Sequence, residues 1–156
     1  MINFDKIIEN IFVGTCPASP VDITRLQQAG ITAVLNLQTD MDFGRLGIDW
    51  LQLETAYETA DIAPYRVPIV DFDRDDLVEL LPAAAQTLNN MLDNDHRVYV
   101  HCTAGIERSP AVVIAYMAWH KRWGMERSIE LVKAARNCSP YEDALQQADI
   151  LRQGPA

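Results

Sequence analysis

Reactive side chains concentrate in one segment, His101-Cys102-Thr103-Ala104-Gly105-Ile106-Glu107-Arg108-Ser109-Pro110, in which a thiol and a guanidinium are separated by five residues. A guanidinium offers a fork of N–H donors to two oxygens of a tetrahedral anion. Backbone N–H groups curled at the start of a helix bind the same kind of anion, because they are unpaired there and the helix dipole is positive. Gly105 has the backbone freedom such a loop needs to close. The loop N–H groups of Thr103, Ala104, Gly105, Ile106, Glu107 and Arg108 are therefore candidate phosphate ligands, with the Arg108 side chain as a clamp. A free thiol titrates near about 8.5, and oriented dipoles with a neighbouring guanidinium favour its thiolate. Cys102 is accordingly the candidate nucleophile toward a phosphate ester. Ser109 can donate its hydroxyl to that sulfur when a covalent intermediate breaks down. His101 reads as a residue that hydrogen-bonds backbone and orients Cys102, not as a base.

Expelling an alkoxide or phenoxide requires a proton donor. The run Asp71-Phe72-Asp73-Arg74-Asp75-Asp76 follows an apolar strand candidate, and its first residue, Asp71, is the candidate acid. Phe72 either contacts the organic part of the substrate or belongs to the core. Asp73 is the reserve acid, and Asp75 or Asp76 is expected to cap the following turn.

These groups need a scaffold. Residues 11–14 and 31–37 read as strands, separated by a helix that Ser19-Pro20 opens and Gly30 ends. Residues 38–47 read as a loop and 65–70 as a further strand. Leu77, Leu80, Leu81, Ala84, Leu88 and Leu92 recur at helical spacing, with Pro82 expected to split the stretch. Residues 97–101 form a strand leading into Cys102. Ser109-Pro110 opens an apolar helix expected to reach about Trp123, with Tyr116, Trp119 and Trp123 read as packing residues. Gly124 stops that helix, and two more follow over 125–137 and 141 to about 152. Strand, helix and strand in this order build a parallel sheet. His96 and His120 read as surface or helix-face residues.

With 156 residues and 49% hydrophobic content, the sequence fits one domain, 1–156, whose residues 138–156 form a helical extension packed on it. Thirteen Lys and Arg against 22 Asp and Glu give a net charge of −9, which argues against nucleic acid and anionic membranes as partners. An anionic substrate must then be attracted by a few local donors in a small pocket. No signal peptide or spanning segment is evident, so a cytoplasmic monomer is expected. The three cysteines, Cys16, Cys102 and Cys138, have neither metal spacing nor an even disulfide framework. Cys16 and Cys138 read as buried thiols, the alternative being a protective disulfide with Cys102.

The chain resembles the Cys-x5-Arg phosphatases, within them the dual-specificity branch, and there the plant starch-excess and laforin-type glucan phosphatases. The resemblance rests on Ile11-Phe12-Val13-Gly14, Leu35-Asn36-Leu37-Gln38-Thr39-Asp40, Asp71-Phe72-Asp73 with Leu80-Leu81-Pro82, the loop itself, and Asn137-Cys138-Ser139-Pro140. It implies an α/β fold with a central, mainly parallel sheet flanked by helices, Cys102 as nucleophile, Arg108 as clamp and Asp71 as acid. It also implies a phosphocysteine intermediate and no metal or organic cofactor. The substrate it implies is a phosphorylated carbohydrate, with a phosphoprotein as the alternative. Phe72 fills the position of an aromatic that stacks on sugar rings, and Trp50, Tyr57 or Tyr65 would extend that platform. Two departures stand out. Glu107 replaces the glycine usual in the glucan branch, as in rhodanese-type cell-cycle phosphatases, and 156 residues leave no room for a carbohydrate-binding module. A shallow pocket is expected, since nothing resembles the long recognition loop of tyrosine-specific enzymes. A non-catalytic phosphate-binding module is the competing class; thiol redox chemistry ranks last, because no local Cys-x-x-Cys pair exists.

Overall fold

Apolar residues, several of them β-branched or aromatic, dominate three short runs that become the centre of the sheet. In the computed structural model, which describes residues 1–154, these are β2 (Ile11–Gly14), β3 (Ala33–Asn36) and β5 (Val98–His101), each buried along its whole length. The last two residues of the expected domain, 155 and 156, lie outside the described residues. The strand order is β1-β2-β5-β3-β4, with β1 (Phe4–Ile8) antiparallel at one edge and β4 (Ala63–Arg66) parallel at the other. The fold is thus the expected α/β arrangement, a mainly parallel sheet between helices.

Side chains in a strand alternate between faces, so one run feeds two cores. Val13, Leu35 and Val100 pack with α4 (Arg74–Asp93), α5 (Arg108–Trp119), α6 (Met125–Ala135) and α7 (Glu142–Gln153). Phe12, Val34 and Tyr99 face the opposite way, toward α1 (Pro20–Gln28), α2 (Asp40–Leu46) and α3 (Trp50–Thr59). Helix α5 is the central one: residues 108–118 are all buried.

Several boundaries differ from the sequence reading. Residues 38–47 are not a loop but carry α2. Thr39 and Asp42 close a capping box, with Thr39 N–H donating to Asp42 Oδ2 at 2.9 Å and Asp42 N–H to Thr39 Oγ1 at 3.3 Å, and Gly47 (φ +67°) ends the helix. Seven residues give no apolar periodicity to detect. Pro82 does not split α4, which runs unbroken for 20 residues. The missing N–H costs one bond to Val78, while Leu77, Leu81, Ala84 and Leu88 stay buried on one stripe. Helix α5 stops at Trp119, and Arg122 takes a left-handed φ of +59° ahead of Gly124. Helix α6 stops at Ala135 because Arg136 turns extended (φ −143°). The strand expected over 65–70 is regular only to Arg66, although Val67 and Ile69 continue bonding to Asn36 and Leu37.

Candidate active site

Parallel strands expose their C-terminal ends on one side of the sheet, where ligands collect in open α/β folds. There β5 ends at His101 and the chain curls through Cys102–Glu107 before entering α5. The orientation of this loop follows from where its carbonyls go. Cys102 O accepts from His101 Nδ1 (2.9 Å), Thr103 O from Cys16 N (3.0 Å), and Ala104 O and Gly105 O from Arg136 Nη2 and Nε (3.2 and 2.8 Å). Ile106 O accepts from Ser139 N (2.8 Å) and Glu107 O from Ala111 N (3.2 Å). In a planar trans peptide the next N–H points opposite to the carbonyl, so six outward carbonyls turn six consecutive N–H groups, from Thr103 to Arg108, inward. The N–H groups of Thr103 to Glu107 have no acceptor among the described residues. Gly105 (φ +68°) is required: a Cβ there would lie 2.5 Å from Gly14 O and 2.9 Å from Arg136 Nη2.

Arg108 is 1% exposed. Its Nη1 donates to Asp42 Oδ2 and Ile69 O, both at 2.8 Å, while Nε meets Asp71 Oδ1 at 3.3 Å and Nη2 donates to Thr103 Oγ1 at 3.3 Å. One side of the guanidinium is thus fixed to the scaffold, and the Nε/Nη2 edge meets groups that line the cleft. Burial disfavours both charges of the inner pair, yet the Asp42–Arg108 hydrogen bond wins. Asp42 is held below the usual carboxylate range and Arg108 above its ordinary value. Cys102 Sγ, 3% exposed, lies 3.3 Å from Ser109 Oγ. Burial pushes His101 down to about 4, against its bond to the Cys102 carbonyl. It is therefore neutral, with its proton on Nδ1 and Nε2 buried without a partner.

The cleft above the thiol encloses about 330 Å³ and is walled by Asp71, Phe72, Thr103, Ile106, Glu107 and Arg108. Phe72 is 78% exposed, with a positive φ of +62° unusual for an aromatic residue, and so stands clear of the core. Asp73 is the N-cap of α4, accepting from Asp76 N at 3.0 Å, so the reserve acid is engaged as a cap. Asp76 instead accepts from Val70 N at 2.7 Å. The remaining aromatics do not extend Phe72. Tyr57 is buried, Trp50 stacks on Phe43 under Arg66, and Tyr65 lies by His96. All three cysteines are free thiols, with Cys138 buried, Cys16 half-buried, and both raised by burial.

The structure brings together Cys102, Thr103 to Arg108, Ser109, Asp71, Phe72 and His101. It adds residues that sequence reasoning missed. Asp42 anchors Arg108, Arg136 and Ser139 hold the loop from outside, and Gln38 Nε2 donates to Thr103 Oγ1 at 3.1 Å. The only trace of these was Gln38 and Ser139 lying within motifs noted for other reasons. Among the described residues no cluster of three or more His, Cys, Asp or Glu is placed to hold a metal ion.

A parallel sheet delivering a thiol, a ring of inward N–H groups and an anchored guanidinium to one helix N-terminus defines a protein built around a tetrahedral oxyanion. The chain belongs to the dual specificity phosphatase family, whose catalytic domain it matches over residues 11–148. It is 35% identical over 144 residues to the chloroplastic phosphoglucan phosphatase LSF1 of Arabidopsis thaliana, covering 92% of this chain and 24% of that one. It is 31% identical over 160 residues to laforin of Mus musculus, covering 94% and 48%. The chain therefore spans about a quarter and about half, respectively, of the length of these curated relatives. The human tyrosine phosphatase-like serine/threonine/tyrosine-interacting protein superposes with a TM-score of 0.76 at 22% identity, covering 97% and 98% of the two chains, which shows the shared fold.

Proposed function

We propose that this chain hydrolyses phosphate monoesters through a phosphocysteine intermediate, with phosphorylated glucan as its substrate. One observation carries the chemistry: six consecutive loop carbonyls are tied outward, so the N–H groups and the Arg108 edge converge over Cys102. The incoming phosphate takes the Nε position that Asp71 holds at 3.3 Å, releasing the acid toward the leaving oxygen. Cys102 thiolate attacks phosphorus, an S–P bond forms, the ester P–O bond breaks, and Asp71 gives its proton to the departing oxygen. Asp71 then takes a proton from water as that water attacks phosphorus. The S–P bond breaks, and Ser109 donates to the sulfur as it leaves.

The glucan assignment is supported by the similarity to a phosphoglucan phosphatase and to laforin, and by the exposed Phe72 ring beside Asp71. Protein phosphoesters are the second reading. It is favoured by the absence of any aromatic other than Phe72 from the cleft walls among the described residues. Rates on phosphorylated amylopectin, phosphotyrosyl and phosphoseryl peptides and an aryl phosphate, with Cys102→Ser as blank, decide between them. Glucan release well above the blank is expected; brisk peptide turnover with glucan release at blank level would retire the carbohydrate assignment.

A further inference from the structure

Glu107 is the one acidic side chain within the loop, and it adds negative charge to an anion-binding cleft. Glu107 lines that cleft together with Asp71, and its Oε1 is buried with no hydrogen-bond partner among the described residues. Glu107 occupies the N-cap position of α5 yet makes no side-chain cap bond there. Burial pushes it up to about 7, Arg108 opposes that shift, and Asp71 adds to it.

We propose that Glu107 is a specificity-determining residue that admits a phosphate on a neutral carrier and rejects a substrate with a second negative charge next to the reacting phosphate. The inference rests on the phosphatase reading above and narrows its substrate class. A single phosphate is compensated by the loop N–H groups and Arg108, which surround it. A second charge sits outside that ring and meets the Glu107 carboxylate, whereas Asp71 carries its proton while the ester is bound. Sugar hydroxyls carry no such charge; acidic phosphopeptides and vicinal bisphosphates do. The groups acting on Glu107 are Arg108 at the start of its own helix and Asp71 on the facing loop, with the Cys102 thiol in the same cleft.

The test uses two matched substrates, phenyl phosphate and 3-carboxyphenyl phosphate, on wild type, Glu107→Gln and Glu107→Gly. The wild type is expected to favour the neutral ester by roughly tenfold in kcat/KM, a ratio of the size one nearby charge produces, expressed mainly in KM. Both variants should bring the ratio near one. In wild type the ratio should grow as pH rises through 7 and stay flat in Glu107→Gln. Taking a ratio cancels what Asp71 and Cys102 contribute to both substrates. An unchanged ratio in both variants, or one altered through kcat alone, overturns the proposal. If the wild type turns over neither ester above the Cys102→Ser blank, the phosphatase reading fails instead. The proposal then stands or falls on calorimetric affinities of the two esters for Cys102→Ser with and without Glu107→Gln, where the same tenfold shift is expected.

Discussion

Two buried arginines serve one loop from opposite sides. Arg108, inside, is 1% exposed and meets two carboxylates, Asp42 and Asp71. Arg136, outside, is 7% exposed and meets one half-exposed carboxylate, Asp5, together with Asn3 Oδ1 and the carbonyls of Ala104 and Gly105. The same side chain is used in two ways. Arg108 commits Nη1 to the scaffold and keeps an edge for a ligand, whereas Arg136 commits its donors to the scaffold and so fixes the curl that turns the N–H groups inward. In the proposed phosphatase, the guanidinium that binds the phosphate works within a loop whose curl a second guanidinium holds.

Replacing each arginine in turn separates these roles. Arg108→Lys keeps the charge and loses the fork. It should cut kcat/KM by about 10²–10³-fold, the scale of one lost donor to a developing oxyanion, with a smaller change in the urea midpoint than the outer variant shows. Arg136→Met leaves two loop carbonyls without donors, at about 1–3 kcal/mol each. It should therefore lower unfolding free energy by roughly 2–6 kcal/mol, and activity along with it. If the two variants lose stability and activity in the same proportion by urea melts and steady-state assay, the division between ligand donor and loop clamp is wrong.

Inside the cradle the next effect is smaller. Ser109→Ala removes the hydroxyl 3.3 Å from Cys102 Sγ. It should slow breakdown of the covalent intermediate by roughly tenfold, the order expected for one hydrogen bond to a charged group, while leaving its formation little changed. Pre-steady-state kinetics with an aryl phosphate in excess would show a larger burst, and an unchanged burst would remove Ser109 from this step.

The difference between inside and outside also explains what the sequence revealed. The loop residues of the inside lie within one contiguous stretch, 102–109, between an apolar strand and a helix-opening Ser-Pro, so spacing alone brought them together. The outer clamp joins Arg136 to Gly105 across 31 positions and to Asp5 across 131, and no local pattern records a contact of that kind. Asp42 was hidden for a different reason. It lies in a seven-residue helix with two buried side chains, too short for periodicity, so its stretch read as a loop. Pro82 shows the opposite failure. A strong local rule predicted a break, and packing of α4 against α5 and α7 overrode it.

Acid titration probes the two sides without removing either arginine. His101 supports the outside, donating to the Cys102 carbonyl, and is neutral because its folded value is about 4 against an ordinary 6.5. The unfolded chain binds that proton first, so this contribution is complete above about 6.5 and is lost as pH falls toward 4. Asp42 supports the inside. Its folded value lies below the ordinary 3.8, so its contribution is present above that value and disappears only at lower pH. Glu107, raised to about 7 from 4.5, runs the other way between those values, favouring the fold as pH falls. The informative quantity is thus the difference between wild type and variant in urea unfolding across pH. That difference should fall away between about 6.5 and 4 for His101→Gln and only below about 3.8 for Asp42→Asn. A His101→Gln curve parallel to wild type through the upper window would show that the outer shell is held without His101, leaving Arg136, Ser139 and Cys16 to hold it alone.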